Sequence, residues 1–209
     1  MRILIVDDHE VVREGVKTIL REQSPSVVFG EACAAPEAVR FVREHDWDMV
    51  VLDLSLGDGN GLEVLKELKL LRPKLPVLIL SMHSEEQYAR RTFRAGASGY
   101  VTKDSSRSEL AQALNKVAAG GKYITSSLAE KLIIDLGGGS ERALHETLSD
   151  REFQVMRLLA LGKSVSEIAE LLSLSDKTIS TYRARLFEKI GIHTNAELVR
   201  YAIHNKLVD

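Results

Sequence analysis

The sequence predicts an α/β fold, a doubly wound five-stranded parallel sheet, followed by a second, all-α unit of four helices. Three observations carry this. Up to residue 121, short runs of β-branched and aliphatic residues alternate with amphipathic stretches of helical period. The runs Ile3-Leu4-Ile5-Val6 and Val50-Val51-Leu52 are apolar throughout and end abruptly on carboxylates, Asp7-Asp8 and Asp53, as strands buried on both faces can. Beyond residue 143 no strand pattern occurs, and the apolar repeats have helical spacing.

Strands are expected near 2–6, 27–32, 48–53, 77–81 and 98–101, and helices near 10–22, 35–45, 60–71, 85–94 and 106–119. In the first helix Val12, Val16, Ile19 and Leu20 form one apolar stripe. Pro36 suits the first turn of the second helix, which needs no backbone donor. Asp53 is followed by a loop with glycines at 57, 59 and 61. Pro73 and Pro76 bracket the loop before the fourth strand, and Gly120-Gly121 closes the last helix of this part. Such alternation, with right-handed crossovers, favours a flavodoxin-like strand order. A short helix is expected over 127–136, and Gly137-Gly138-Gly139-Ser140 then reads as a flexible linker. The division is therefore 1–121, a linker with a short helix at 122–143, and 144–209. In the last part helices are expected near 150–161, 164–172, 176–190 and 195–205. Ser149 with Glu152 has capping-box spacing, and Ser164 opens the next helix.

A chain of 209 residues, 44% hydrophobic and 28% charged, suits two small globular domains with real cores. The net charge of -2 gives no global signal for nucleic acid, so any such surface must be local. The single Cys33 excludes an intrachain disulfide and most cysteine-based metal sites, and its apolar neighbours predict a buried small residue. No run is long and apolar enough to span a membrane, and the amino terminus lacks signal-peptide anatomy. A cytoplasmic location without membrane partners is the expectation.

If the first and third strands are neighbours, Asp7, Asp8 and Asp53 converge at the carboxyl edge of the sheet, where open α/β sheets bind ligands. Carboxylates that close repel one another unless a cation sits among them. Mg²⁺, a hard ion that takes oxygen ligands and keeps several waters, is the natural candidate. Asp53 can act as a nucleophile and form an aspartyl phosphate. Asp8, helped by Asp7, can hold the metal, and the main-chain carbonyl of Ser55 can complete its sphere. Lys103 supplies a point charge for a carboxylate or phosphate oxygen, and Ser81 a hydroxyl donor. Taken singly, a strand-end aspartate more often caps a helix or fixes a turn, and a lone lysine is more often a solvated charge. The set as a whole points to phosphoryl chemistry. His9 and His83 flank the site and read as surface residues without metal-pair spacing.

With Asp7-Asp8, Asp53 and its glycine-rich loop, Ser81, Tyr100 and Lys103 in this order, residues 1–121 resemble the receiver domain of two-component response regulators. The resemblance implies an acidic Mg²⁺ site at Asp7 and Asp8, a phospho-acceptor at Asp53, a switch hydroxyl at Ser81, a switch aromatic at Tyr100 and a site lysine at Lys103. It also implies a sensor histidine kinase as phosphodonor. Gly57 stands where many receivers have proline. Lys103 precedes Asp104 rather than proline, so a trans peptide is expected there.

In the last part, Ser164 to Leu172 reads as a short amphipathic helix, Ser173-Leu174-Ser175 as a tight connection, and Asp176 onward as a second helix. Ile168, Leu171, Leu172, Leu174, Ile179, Leu186 and Ile190 are expected to pack the pair together. The exposed face of the second helix is expected to carry Lys177, Ser180, Thr181, Arg183 and Arg185, residue types that suit a helix laid in a major groove. No acid occurs from 177 to 187. Together with Leu148-Ser149-Asp150-Arg151-Glu152, Ser166-Glu167-Ile168-Ala169, Lys177-Thr178-Ile179, Glu188-Lys189-Ile190-Gly191 and Ala196-Glu197-Leu198, this segment resembles the carboxy-terminal domain of LuxR/NarL-type transcription regulators. The resemblance implies four helices, the third reading DNA and the fourth helping to dimerise. It places Lys177, Ser180 and Thr181 near bases and Thr178, Arg185 and Lys189 on the phosphate backbone. Tyr182 replaces a histidine common in the family, and Ala184 a position that can be basic. Leu198, Val199 and Ala202 read as a core stripe.

The reading is a phosphorylation-dependent, DNA-binding transcription regulator rather than an enzyme. Its expected partners are a sensor histidine kinase, double-stranded DNA, a second copy of the chain on phosphorylation and RNA polymerase. The alternative is a Mg²⁺-dependent phosphohydrolase with an aspartate nucleophile. Such enzymes place a general acid two positions after the nucleophile, where this chain has Ser55. In a third reading the helix pair binds protein, and salt-dependent DNA binding separates it from the first.

Overall fold

The computed structural model describes residues 1–56, 59–82, 85–126, 128–130, 143–205 and 207–208. Gly57, His83, the 137–140 linker and most of the helix expected at 127–136 lie outside them. The chain divides into two compact units, Met1–Ala129 and Glu130–Asp209.

In the first unit, β1 (Arg2–Val6), β2 (Val28–Ala32), β3 (Met49–Leu52), β4 (Val77–Ser81) and β5 (Gly99–Thr102) form a sheet in the order β2-β1-β3-β4-β5. Every neighbouring pair is parallel. The registers Val6 with Leu52 and Ser81 with Thr102 align the strand ends, so the residues just past each strand gather along one edge. Helices α1 (Glu10–Gln23), α2 (Ala35–Glu44), α3 (Gly61–Leu71) and α4 (Glu85–Arg94) connect them, and α5 (Arg107–Ala118) follows the last strand. Alternate residues serve opposite faces. Ile3, Ile5, Met49, Val51, Leu78 and Leu80 join Val16, Ile19 and Leu20 of α1 and Leu114 and Val117 of α5 in one cluster. The central strands β1, β3 and β4 therefore read as unbroken apolar runs, while the edge strand β2 is largely half-exposed.

The sequence did not foretell a short antiparallel ladder, Ser55–Leu56 with Gly59–Asn60, directly after Asp53. It closes against Gly61, whose N–H donates to Leu54 O at 3.1 Å. A Cβ on Gly61 would lie 2.4 Å from Leu54 Cα and 2.5 Å from the carbonyl oxygen of Asp53, so only glycine fits there. Cys33 is exposed, contrary to expectation. It lies past the buried end of β2, in the turn into α2, where Glu37 accepts its N–H at 2.9 Å. No described peptide bond is cis, including Lys103–Asp104.

The second unit is helical: a 3₁₀ turn at Leu144–Thr147, then α6 (Asp150–Ala160), α7 (Val165–Leu171), α8 (Asp176–Ile190) and α9 (Asn195–His204). Its starts are set by side chains. Ser149 with Glu152, Ser164 with Glu167 and Thr194 with Glu197 make complete capping boxes, and Ser175 caps α8. Gly191 ends α8 in the left-handed region, at φ 72°. Phe153, Met156, Leu159, Ile168, Leu172, Ile179, Leu186, Ile190, Leu198 and Ala202 are buried. Truncating a core leucine such as Leu186 to alanine costs about 2–5 kcal/mol. Leu171 is exposed rather than part of the helix-pair packing, because it ends the short α7 on its outer side.

Candidate functional site

The carboxyl edge of the first unit's sheet assembles the acidic residues. Asp53 follows β3, is 1% exposed, and donates its backbone N–H to Val6 O at 2.9 Å. Its carboxylate is held at both oxygens: Ser55 N–H donates to Oδ1 at 3.0 Å and Lys103 Nζ to Oδ2 at 2.7 Å. Lys103 follows β5, and its side chain, 8% exposed, also lies 2.7 Å from Asp7 Oδ2. Asp7 is buried, and its Oδ1 accepts the backbone N–H of His9 at 2.8 Å. Ser81 and Tyr100 are both fully buried, on β4 and β5, and the Lys103 N–H donates to Ser81 O at 2.8 Å. One ligand atom each from Asp7, Asp8, His9 and Asp53 lie within 4.8 Å of one another.

Burial pushes the Asp53 carboxyl above the usual carboxylate range, and Asp7 adds to this. The ammonium of Lys103 and the Ser55 N–H oppose the shift without cancelling it. Burial pulls the Lys103 ammonium down, but the pairs with Asp53 and Asp7 outweigh it and leave its pKa raised. The two directions fit one picture: the buried Lys103 ammonium stays charged, yet, shared with Asp7, it does not offset the burial of Asp53. Asp7 Oδ2 is buried, with the Lys103 ammonium 2.7 Å away. A set of clustered carboxylate oxygens fits a hard divalent cation.

Sequence reasoning treated His9 as a surface residue, and it is exposed. Yet its Nδ1 lies 2.7 Å from Asp8 Oδ1 and 3.2 Å from Asp7 Oδ1, within the acidic cluster. Ser55 meets the site through its N–H. Sequence reasoning also missed Arg13, whose Nη1 donates to the carbonyl oxygen of Asp7 at 2.9 Å. Its spacing from Lys17, one helical turn on, was the available signal.

In the second unit, Ser166 Oγ donates to Asp176 Oδ2 at 2.6 Å and ties α7 to the start of α8. Lys177, Ser180, Thr181, Ala184 and Arg185 are exposed and share one face of α8, as their spacing requires. Thr181 Oγ1 donates to Lys177 O at 2.9 Å, and Thr178 Oγ1 lies 2.8 Å from the cap hydroxyl of Ser175. Arg183 does not join the outer face. It is half-buried, lies over the Phe187 ring and donates from Nη2 to Asn195 Oδ1 at 3.1 Å. Lys189 Nζ lies 2.7 Å from Oε2 of Glu152, a residue 3% exposed. Burial raises the Glu152 carboxyl, but Lys189 and the Ser149 cap outweigh it and hold the pKa below the usual range. Leu198 and Ala202 are in the core and Val199 is half-buried.

Comparison with known proteins places both units. Residues 3–115 match the response regulator receiver domain, and residues 146–202 match the bacterial regulatory proteins of the luxR family. The response regulator UvrY of Escherichia coli (strain K12) is 34% identical over 208 residues, covering 99% of this chain and 95% of UvrY. The response regulator GacA of Pseudomonas aeruginosa is 32% identical over 210 residues, covering 100% and 98%. RcsB of Salmonella enterica serovar Typhimurium, solved bound to a promoter in the presence of the phosphomimetic BeF3−, is similar in structure. Its TM-score is 0.67 at 29% identity, with 96% of this chain and 97% of that one covered.

Proposed function

The chain belongs to the response regulators, with a receiver domain and a LuxR-type DNA-binding domain, and on that premise we propose that Asp53 is its phospho-acceptor and that phosphorylation there controls DNA binding. The observation that carries this is the Asp53 carboxylate itself: buried at the end of the central strand, gripped at both oxygens, and clustered with Asp7 and Asp8. The receiver spans 1–121, a linker 122–143 and the DNA-binding domain 144–209.

A sensor histidine kinase is the phosphodonor. An Asp53 oxygen attacks phosphorus, the N–P bond to the donor imidazole breaks, and the imidazole nitrogen takes up a proton. Asp7, Asp8 and Asp53, with the Ser55 carbonyl, would hold Mg²⁺, which would supply charge stabilisation to the transferring phosphoryl group. Lys103 is held ready beside Asp53 to pair with a phosphoryl oxygen, and the Ser81 hydroxyl donates to another. Tyr100 lies buried one strand over and reports the hydroxyl's movement by packing. The new charge thus becomes a rearrangement of β4, β5 and the loops after them.

The output is DNA binding by a homodimer through Lys177, Thr178, Ser180, Thr181 and Arg185, with RNA polymerase as a further partner. Arg183 and Lys189, engaged within the domain, act mainly by holding α8. Among the described residues no helix is long and apolar enough to cross a membrane, and a DNA partner puts the protein in the cytoplasm. We propose no turnover of outside substrates, since the residue two after Asp53 is Ser55, which offers no general acid.

The test is affinity for a duplex selected from a random pool, before and after treatment with a small phosphodonor and Mg²⁺. Wild type should tighten about tenfold, within the usual 5–150-fold range of allosteric coupling. Asp53→Asn should not change. Equal tightening in both, or in neither, overturns the reading.

A further inference from the structure

We propose that Arg13, braced by Glu31, is a positioning residue for the acidic site: it fixes the backbone of Asp7 and so aims the Asp7 carboxylate at the cation. The proposal rests on the metal site assigned above and extends it to residues that touch neither the cation nor the phosphoryl group.

Arg13 lies in the first turns of α1 and its side chain is 11% exposed. It makes two bonds in different directions. Nε donates to Glu31 Oε2 at 2.8 Å, and Nη1 donates to the carbonyl oxygen of Asp7 at 2.9 Å. Glu31 is itself forked, its Oε1 accepting from Lys17 Nζ at 2.6 Å. Glu14 also pairs with Lys17. The guanidinium is thus clamped from the β2 side and reaches across to the residue that ends β1. A single exposed Arg–Glu pair contributes little to stability. Here the arrangement has a directional consequence, because a planar guanidinium with one edge fixed has its other donors fixed as well.

The consequence falls on Asp7. Its N–H donates to Ala32 O at 3.1 Å, and its C=O accepts from Arg13. Both peptide groups flanking its Cα are therefore held, which sets the direction of Cα–Cβ. His9 N–H and Lys103 then fix the two carboxylate oxygens. Without Arg13, the backbone carbonyl of Asp7 loses its donor, and the junction between β1 and α1 can turn. Metal sites depend on such outer partners, whose loss typically weakens metal affinity 10–100-fold.

Charge and position make opposite demands, which makes the idea testable. Deleting a cation near an acidic site should tighten divalent-ion binding by Coulomb's law alone. Loss of positioning should weaken it. The probe is Mg²⁺ alone, titrated by calorimetry into the full chain, with no phosphodonor present. Arg13→Gln is expected to raise the Mg²⁺ Kd about tenfold. Glu31→Gln, which releases the clamp, should raise it in the same direction, as loss of its negative charge would by itself, so the double variant carries the comparison: it should be no worse than the worse single one, as for residues acting through one another. Lys17→Met breaks the network on the side away from Asp7. It should leave the Kd within about twofold, since Lys17 pairs with Glu31 Oε1 and with Glu14 and not with the oxygen that holds Arg13 or with Asp7, while lowering the thermal midpoint as much as Arg13→Gln does. That control separates a shift in affinity from a general loss of stability. An Arg13→Gln Kd equal to or tighter than wild type overturns the positioning role while leaving the metal site intact. If the wild-type chain itself binds no Mg²⁺, the metal site is wrong and the positioning role falls with it.

Discussion

The two units handle charge in opposite ways. The receiver buries it: Asp7, Asp53 and the Lys103 ammonium are almost wholly withdrawn from water and held within hydrogen-bond distance of one another. The helical unit displays it: Lys177 and Arg185 stand on an exposed helix face with small hydroxyl residues between them. Buried charge responds steeply to one added charge, because little water screens it. Exposed charge serves long-range attraction to a polyanion and is tuned by salt. One unit is built to change state, the other to meet a charged surface. The boundary is not clean: Arg183, which the sequence placed on the displayed side, is half-buried against Asn195, and the exposed Lys189 pairs with the buried Glu152.

The largest effect that would break this contrast lies at the acidic edge. Asp8→Asn removes one of the clustered donors and should weaken Mg²⁺ binding about 100-fold, the upper end of what even an outer partner contributes. A calorimetric Kd unchanged from wild type would remove Asp8 from the cation's surroundings.

Next comes the lysine paired with Glu152. Lys189→Met leaves Glu152 buried without its cation, and breaking such a pair costs about 3 kcal/mol in a dry interior. Lys189 is itself 41% exposed, so about 1–3 kcal/mol is expected in urea unfolding of the helical unit. The pH dependence has a definite sign. Glu152's pKa is lowered in the folded state, so its contribution is present above the ordinary value of 4.5 and is lost as the pH falls through the folded pKa. In Lys189→Met that acid-side loss should shrink. If the variant instead keeps its stability but loses about one unit of DNA salt slope, Lys189 is a phosphate contact after all.

A smaller effect sharpens the displayed face. Arg185→Ala should weaken specific and random duplexes alike and lower the salt slope by about one. Thr181→Ala should cost about 1 kcal/mol on the preferred sequence and little on random DNA. The geometry qualifies the second expectation, because the Thr181 hydroxyl is bonded to Lys177 O and must turn, or use its methyl, to reach a base. Competition binding over a salt series reads both changes.

The smallest effect concerns stability without metal. Burial raises the Asp53 pKa, so its ionised form disfavours the fold at neutral pH; the group's contribution is present below its unfolded pKa and lost as pH rises through the folded one. Asp53→Asn should therefore raise the metal-free thermal midpoint by a few degrees. A fall would mean that the Lys103 pair outweighs the burial.

How much the sequence disclosed depends on how local each signal is. The apolar runs ending on Asp7 and Asp53 marked both strands and the site, because a strand buried on both faces leaves a pattern that needs no tertiary knowledge. Ser149 and Ser164 marked helix starts for the same reason. The Arg13–Glu31 and Lys189–Glu152 pairs join residues far apart in the chain, and periodicity carries no information about which distant acid a long cation will find. Arg183 failed similarly: its position on α8 allows either face, and Asn195 with the Phe187 ring decides. Cys33 was misjudged because apolar neighbours in sequence do not bury a residue that lies beyond the strand's end.

The identity of the acceptor is read directly by one measurement. The full chain is incubated with a small phosphodonor and Mg²⁺, and its intact mass is recorded beside that of Asp53→Asn. The expected result is one added phosphoryl group on the wild type, labile to base as an acyl phosphate is, and none on the variant. Equal phosphorylation of the variant would contradict the assignment of Asp53 and, with it, the link between the buried charges of one unit and the displayed charges of the other.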